Sequence, residues 1–291
     1  MLVRIWWIQR SRKMLAFKHS FYILLLGLFN FYLLILSAYI QAWNKYEFIW
    51  MWVLAFNLFS YFKIVTALDF NFKKVRYPFF YHFLWIGMNP SPFKKRFHFK
   101  FVRKDLIAKG LLNTAIGLLF FKLASFESHW YLQSWLFCVS IVFLLHFGTF
   151  NILAWFLNLI GFRVESIMNN PLHAKSLKEF WGGRWNRAFN DLVVPIIYKP
   201  IKQKWGKTAG IFGVFLFSGL VHEIVISLSV GQGFFGPLIY FLMQGFGLYL
   251  EEKYRLSRFW MYFFIIGPMG LLFHPAFMAK AIYPWIELDL L

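Results

Sequence analysis

Apolar residues in this chain fall in long uninterrupted blocks, and the basic residues sit between them. A bilayer core about 30 Å thick is crossed by about 20 apolar residues in a helix rising 1.5 Å per residue. Seven stretches reach or approach that length: 21–40, 48–68, 106–126, 131–150, 209–230, 234–250 and 259–277. Inside hydrocarbon each backbone N–H and C=O must be satisfied within its own segment, so these stretches predict helices. An eighth apolar stretch, 77–88, is short, begins before Pro78 and ends before Asn89-Pro90. It predicts a re-entrant or interfacial element rather than a span. The run that starts at 131 stays apolar to 162, too long for one upright helix. One tilted helix with an interfacial extension and two separate elements both fit it. The expected fold is all-α: a polytopic transmembrane bundle of about seven spans with short re-entrant or interfacial helices, in a single domain over residues 1–291.

Composition agrees. The chain is 60% hydrophobic and 15% charged, against about 45–50% and about 25% for soluble domains. It has too few charges to cover a water-soluble surface and too many aromatics to be disordered. The net charge of +19 would suggest a nucleic-acid partner only as a basic patch on a soluble fold. Here 26 of the 31 Lys and Arg lie in segments 1–20, 69–105, 163–208 and 251–258, which share one side of a seven-span chain. Cytoplasmic loops are enriched in these residues, so the expectation is a multi-pass protein with its N-terminus in the cytoplasm and no nucleic-acid partner. Basic segments beside the membrane also attract anionic lipid heads and a phosphate-bearing substrate. The single cysteine, Cys138, excludes an internal disulfide and any CxxC motif.

The informative polar groups are those at membrane depth, where a charge costs at least about 2.5–3.5 kcal/mol. Among acidic residues only Glu223 lies well inside an expected span, directly after His222. Such a pair must face protein or a water-filled cavity. A neutral imidazole at His222 is the form a general base needs to accept a hydroxyl proton. Glu223 projects about 100° away around the helix, so it ties down the helix or bonds a partner group. His146 has no acidic neighbour and reads as a core residue. His274, before Pro275, reads as lining a cavity or capping a kinked helix.

A second cluster is Ser176-Leu177-Lys178-Glu179-Phe180-Trp181-Gly182-Gly183-Arg184-Trp185-Asn186. Ser176 and Glu179 have the spacing of a capping box, and Gly182-Gly183 breaks or distorts the helix that follows. An amphipathic interfacial helix explains the tryptophans. It does not explain so dense a run of Trp, Gly, Arg and Asn. Glycines let a ligand approach the backbone, Arg184 can pair with phosphate, and the Asn186 amide can donate to an oxyanion. Ile226 stands where an HExxH zinc site needs its second histidine, so no metal is expected, and there is neither a GxSxG elbow nor a phosphate loop.

The two blocks together resemble the membrane-bound O-acyltransferase superfamily, and within it the wax-synthase-like branch. Residues 176–186 are similar to the branch's SL-x-x-FWGRRWN block, and Ser218-Gly219-Leu220-Val221-His222-Glu223 to its SG-x-x-HE block. Gly87-Met88-Asn89-Pro90 and Phe273-His274-Pro275 are weaker echoes. Gly183 stands where the branch has the first of two arginines, which leaves phosphate binding there to Arg184. The resemblance implies acyl transfer from acyl-CoA, a co-substrate rather than a cofactor, to the hydroxyl of a lipophilic alcohol. His222 matches the catalytic histidine and Asn186 the asparagine of the Trp-Asn motif. Trp181, Arg184, Trp185, Ser218 and Glu223 become substrate-binding candidates. A short acyl group moved onto a terpenoid, polyketide or glycan hydroxyl is an alternative. A proton-coupled transporter using His222-Glu223 is another, from a different class.

Overall fold

In the computed structural model, residues 27–29, 31–32, 35–36, 47–69, 74–97, 102–254 and 256–287 are described, and among them there are helices and turns but no strand. In chain order these are α1 (Glu47–Asp69), the short α2 (Pro78–Phe83), α3 (Lys104–Phe126) and α4 (Trp130–Leu159). A helical stretch Arg187–Val230 follows, then α7 (Gly236–Tyr254), α8 (Arg258–Leu272) and α9 (Pro275–Ile286).

Four stretches are long and apolar enough to cross a membrane: Glu47–Ala67, Lys104–Phe126, Trp130–Leu159 and Arg187–Val230. α8 and α9, bent by 60° at the break between them, add a fifth if the pair is one broken span. The described residues therefore carry four to five candidate spans where the sequence predicts about seven. The stretch at 21–40 lies outside the described residues apart from isolated positions, and the stretch at 234–250 lies mostly on α7, which is not among these candidates. The 131–162 run resolves as one helix, α4, with a π-helical turn at Val142–Thr149.

Arg187–Val230 is not straight. Its 44 residues would reach about 66 Å as one α-helix, twice a bilayer core. Gly206 breaks it with φ 86° and ψ 172°, a conformation that a side chain would strain. Residues twelve apart along an α-helix lie about 18 Å from one another. Yet a Cβ on Gly210 would come within 2.9 Å of Tyr198, and one on Gly213 within 2.5 Å of Ile201. Residues 187–205 (α5) thus fold back on residues 207–230 (α6) as a helical hairpin. α7 packs closely on α6, where Gly219 lies under the Leu238 backbone and a Cβ would approach its Cα to 2.9 Å.

The short apolar stretch expected to be re-entrant or interfacial forms α2 and the turn after it, and Lys63 of α1 explains how it is held. Lys63 is fully buried. Its ammonium donates to the carbonyls of Tyr81, at 3.0 Å, and Gly87, and lies 3.8 Å from the Tyr81 ring centroid. The Tyr81 hydroxyl, paired with Thr66 at 2.7 Å, donates to the Met88 carbonyl at 3.1 Å. One buried amino group thereby donates to carbonyls on both sides of the turn that follows α2. Lys63→Met is expected to remove two buried hydrogen bonds, at about 1 kcal/mol each. The check is a clear drop in the detergent melting temperature relative to Lys109→Met, a part-exposed control on α3.

Candidate active site

The 176–186 segment is built by its own side chains. Ser176 caps the turn by accepting the Glu179 N–H at 3.0 Å, and Glu179 accepts the Lys175 N–H at 2.7 Å. That backbone bond, with the Arg184 guanidinium beside it, holds the Glu179 carboxyl below the usual carboxylate range. Both oxygens of Glu251, near the end of α7, accept the N–H groups of Leu177 (2.6 Å) and Lys178 (3.0 Å), clamping this turn onto α7. Phe180–Arg184 is a π-helical turn containing the two glycines. A Cβ on either glycine would meet nothing within 4 Å. Trp181 donates from Nε1 to Gln244 at 3.3 Å, and its carbonyl accepts the Asn190 amide at 2.7 Å. Trp185 is stacked between Phe180 and His146, with interplanar angles of 13° and 15°. His146 is thus part of the aromatic wall behind Trp185.

Asn186 closes the segment in the left-handed region at φ 41°, which Asn tolerates better than most residues. Its Oδ1 caps α5 by accepting the Phe189 N–H at 3.1 Å. Asn186 also lines the cavity described below.

His222 lies on α6, followed directly by a π-helical turn at Glu223–Ser227, a local device frequent at functional sites. Its Nδ1 is 2.7 Å from the Ser218 carbonyl oxygen. A carbonyl only accepts, so Nδ1 carries the proton and Nε2 of the neutral ring offers a lone pair. The ring packs on Phe241 of α7, centroids 4.4 Å apart. Glu223 turns the other way, accepting the Leu238 N–H at 3.0 Å. His274 caps α9 at the 60° bend, its Nδ1 accepting the Phe277 N–H at 3.2 Å.

These pieces meet in a cavity of about 260 Å³ whose wall includes Trp181, Gly182, Trp185, Asn186, Ser218 and His222. α6 contributes Lys207, Ile211, Val214, Phe215, Ser218 and His222, one helical stripe that spans about 22 Å. The walls between are apolar, and the charged side chains lining it are Lys178, Lys207 and Glu252. Of the sequence candidates, Arg184 and Glu223 are not on this wall. Arg184 spends its donors on Glu179 Oε1 (2.7 Å from Nε) and on the carbonyls of Asn169 and Asn170 (3.2 Å each). Sequence reasoning missed Lys207 and Glu252, although the spacing from Lys207 to His222 was available as a helical stripe. Among the described residues no group of three His, Cys, Asp or Glu could hold a metal ion. Chemically, the cavity presents an imidazole lone pair and an amide donor in an apolar enclosure. It can accept a proton while stabilising a developing oxyanion.

Residues 164–243, which include both blocks, match the model described as membrane bound O-acyl transferase family. Among curated proteins of Arabidopsis thaliana, the chain is 31% identical over 112 residues to probable long-chain-alcohol O-fatty-acyltransferase 6, covering 35% of this chain and 32% of that one. It is 26% identical over 231 residues to probable long-chain-alcohol O-fatty-acyltransferase 2, covering 68% and 64%. It is 33% identical over 69 residues to acyl-CoA–sterol O-acyltransferase 1, covering 21% and 20%. The chain thus spans between about a third and just under two thirds of the length of the first two.

Proposed function

The chain belongs, through residues 164–243, to the membrane bound O-acyl transferase family and resembles its wax-synthase-like branch; from that premise we propose that it transfers an acyl group from acyl-CoA to the hydroxyl of a long-chain alcohol within the membrane. The observation that carries this reading is the single cavity shared by His222 and Asn186, apolar along its length and charged at one end.

In the proposed step, His222 Nε2 takes the proton of the alcohol hydroxyl as the oxygen attacks the thioester carbonyl. The Asn186 amide donates to the carbonyl oxygen as it becomes an oxyanion. Collapse breaks the C–S bond, and the imidazolium returns its proton to the departing thiolate. Products are the ester and free CoA. The aromatic wall of Trp181, Trp185 and Phe241 keeps water from the thioester, which protects the donor from hydrolysis. The donor enters from the basic side, taken as cytosolic, and the alcohol from the lipid. A proton relay through His222 and Glu223 needs both groups in one passage. Glu223, off the cavity wall and bonded to Leu238, does not favour it.

The test is purified protein in detergent with labelled long-chain acyl-CoA and a panel of alcohols that includes a sterol and short terpenoid and glycan acceptors. The expected result is labelled ester and free CoA in equal amounts, fastest with long-chain alcohols. A preference for a small polar acceptor would overturn the acceptor class. Absence of ester above a protein-free control for the whole panel would overturn the activity.

A further inference from the structure

The charged end of the cavity has an arrangement that the transfer step does not require. Lys207, just past the break at Gly206, donates to both oxygens of Glu252 at 2.6 and 2.7 Å. Lys178 places its ammonium 3.5 Å from the same Oε1. One carboxylate therefore sits between two ammonium groups, and all three side chains line the His222 cavity. They lie on its open side: the lysines are 67% and 50% exposed and Glu252 29%. The Glu252 carboxyl is held below its usual range, chiefly by the Lys207 bond, so it is anionic at neutral pH. The backbone around it is pinned, because Glu251 clamps the N–H groups of Leu177 and Lys178. Side chains can then exchange partners here without moving a helix. Arg184, the phosphate candidate of the sequence, is engaged within its own turn and off the cavity wall.

We propose that Glu252 is an electrostatic latch over the cavity mouth: its carboxylate occupies the anion position between Lys178 and Lys207, and phosphate groups of the acyl donor enter by taking its place. The proposal rests on the acyl-CoA reading above. Two lysines with one carboxylate carry a net charge of +1, enough to attract a polyanion but with the contact position already filled. A phosphate group, with more charge and more acceptor oxygens than a carboxylate, displaces it. Once displaced, Glu252 stands beside bound phosphate and repels it. The latch thereby weakens donor binding and speeds release of CoA, which keeps the same phosphates. A thioester without phosphates gains nothing at the mouth and is indifferent to the latch.

The test compares wild type, Glu252→Gln and Lys207→Gln with two donors: acyl-CoA, and the same acyl group on N-acetylcysteamine, which has the thioester and no phosphate. Glu252→Gln keeps the shape and removes the charge. It is expected to lower the acyl-CoA KM by about 3- to 10-fold at low salt, with a smaller effect at high salt. Its kcat/KM for the phosphate-free donor is expected to change far less than that for acyl-CoA. Lys207→Gln shifts the acyl-CoA KM the opposite way. An unchanged acyl-CoA KM in Glu252→Gln, or an equal change with both donors, overturns the latch while leaving acyl transfer intact. Should neither donor give ester, acyl transfer itself fails. Equilibrium binding of CoA to wild type and Glu252→Gln then decides the latch, and equal affinities overturn it.

Discussion

His222→Ala is expected to lower the turnover of ester formation by about 10²–10⁴-fold, the range for loss of a general base, while the protein stays folded and binds CoA. Both halves follow from the geometry. The Nδ1 bond to Ser218 stays within α6, and the ring already lines a cavity, so its removal enlarges an existing space rather than opening a void in a sealed core. Nothing else on the cavity wall replaces the Nε2 lone pair, since Lys178 and Lys207 are ion-paired with Glu252 at the far end. His222→Gln serves as a second variant, because its amide can still bond the Ser218 carbonyl yet has no basic nitrogen. Three measurements belong together: ester per unit time with both substrates saturating, the Kd for CoA, and the melting temperature in detergent. Added imidazole is expected to restore part of the rate in the alanine variant. Turnover within tenfold of wild type in both variants would exclude His222 as the base.

Asn186→Asp is expected to cost about 10²–10³ in kcat, the scale of one lost oxyanion donor, with little change in stability. Asn186 has two duties that alanine would remove together. Its oxygen caps α5 through the Phe189 N–H, and its backbone holds φ 41°. A cap deleted to alanine costs about 1 kcal/mol, and alanine at positive φ adds strain. Aspartate caps as well as asparagine and tolerates the left-handed region. It has no N–H to give and would place negative charge where the proposed oxyanion forms. The kcat falls and the melting temperature holds if the amide is an oxyanion donor. An unchanged kcat with a lowered melting temperature would reduce Asn186 to a helix cap.

Several elements are legible in the residues themselves because their causes are local. Long apolar runs must be helical in hydrocarbon whatever they pack against, and the stretches at 48–68, 106–126 and 209–230 recur as α1, α3 and α6. The Ser176–Glu179 cap depends on residues three apart. The divergence of His222 and Glu223 follows from 100° per residue, and the two side chains do bond different partners. The α5–α6 hairpin is not legible in this way. Hydropathy registers composition and not direction, so 187–205 reads as part of a long basic connection, whereas Gly206 turns it back on α6. Lys63 reads as an unexplained charge in a span because the carbonyls it serves lie 18 and 24 residues away.

What the residues alone decide is therefore what short-range physics enforces: an all-helical chain made for lipid, a biased distribution of positive charge, and two polar blocks too dense in chemistry to be lipid-facing. Which groups share a space depends on contacts between segments far apart in the chain. Only the packing of α5, α6 and α7 brings Asn186 and His222 to one cavity and leaves Lys178, Lys207 and Glu252 at its mouth, while Arg184 turns to Glu179 and to the Asn169 and Asn170 carbonyls of its own segment. A side chain's type sets the bonds it is able to make, whereas the neighbours within reach, supplied by the fold, determine which of them form.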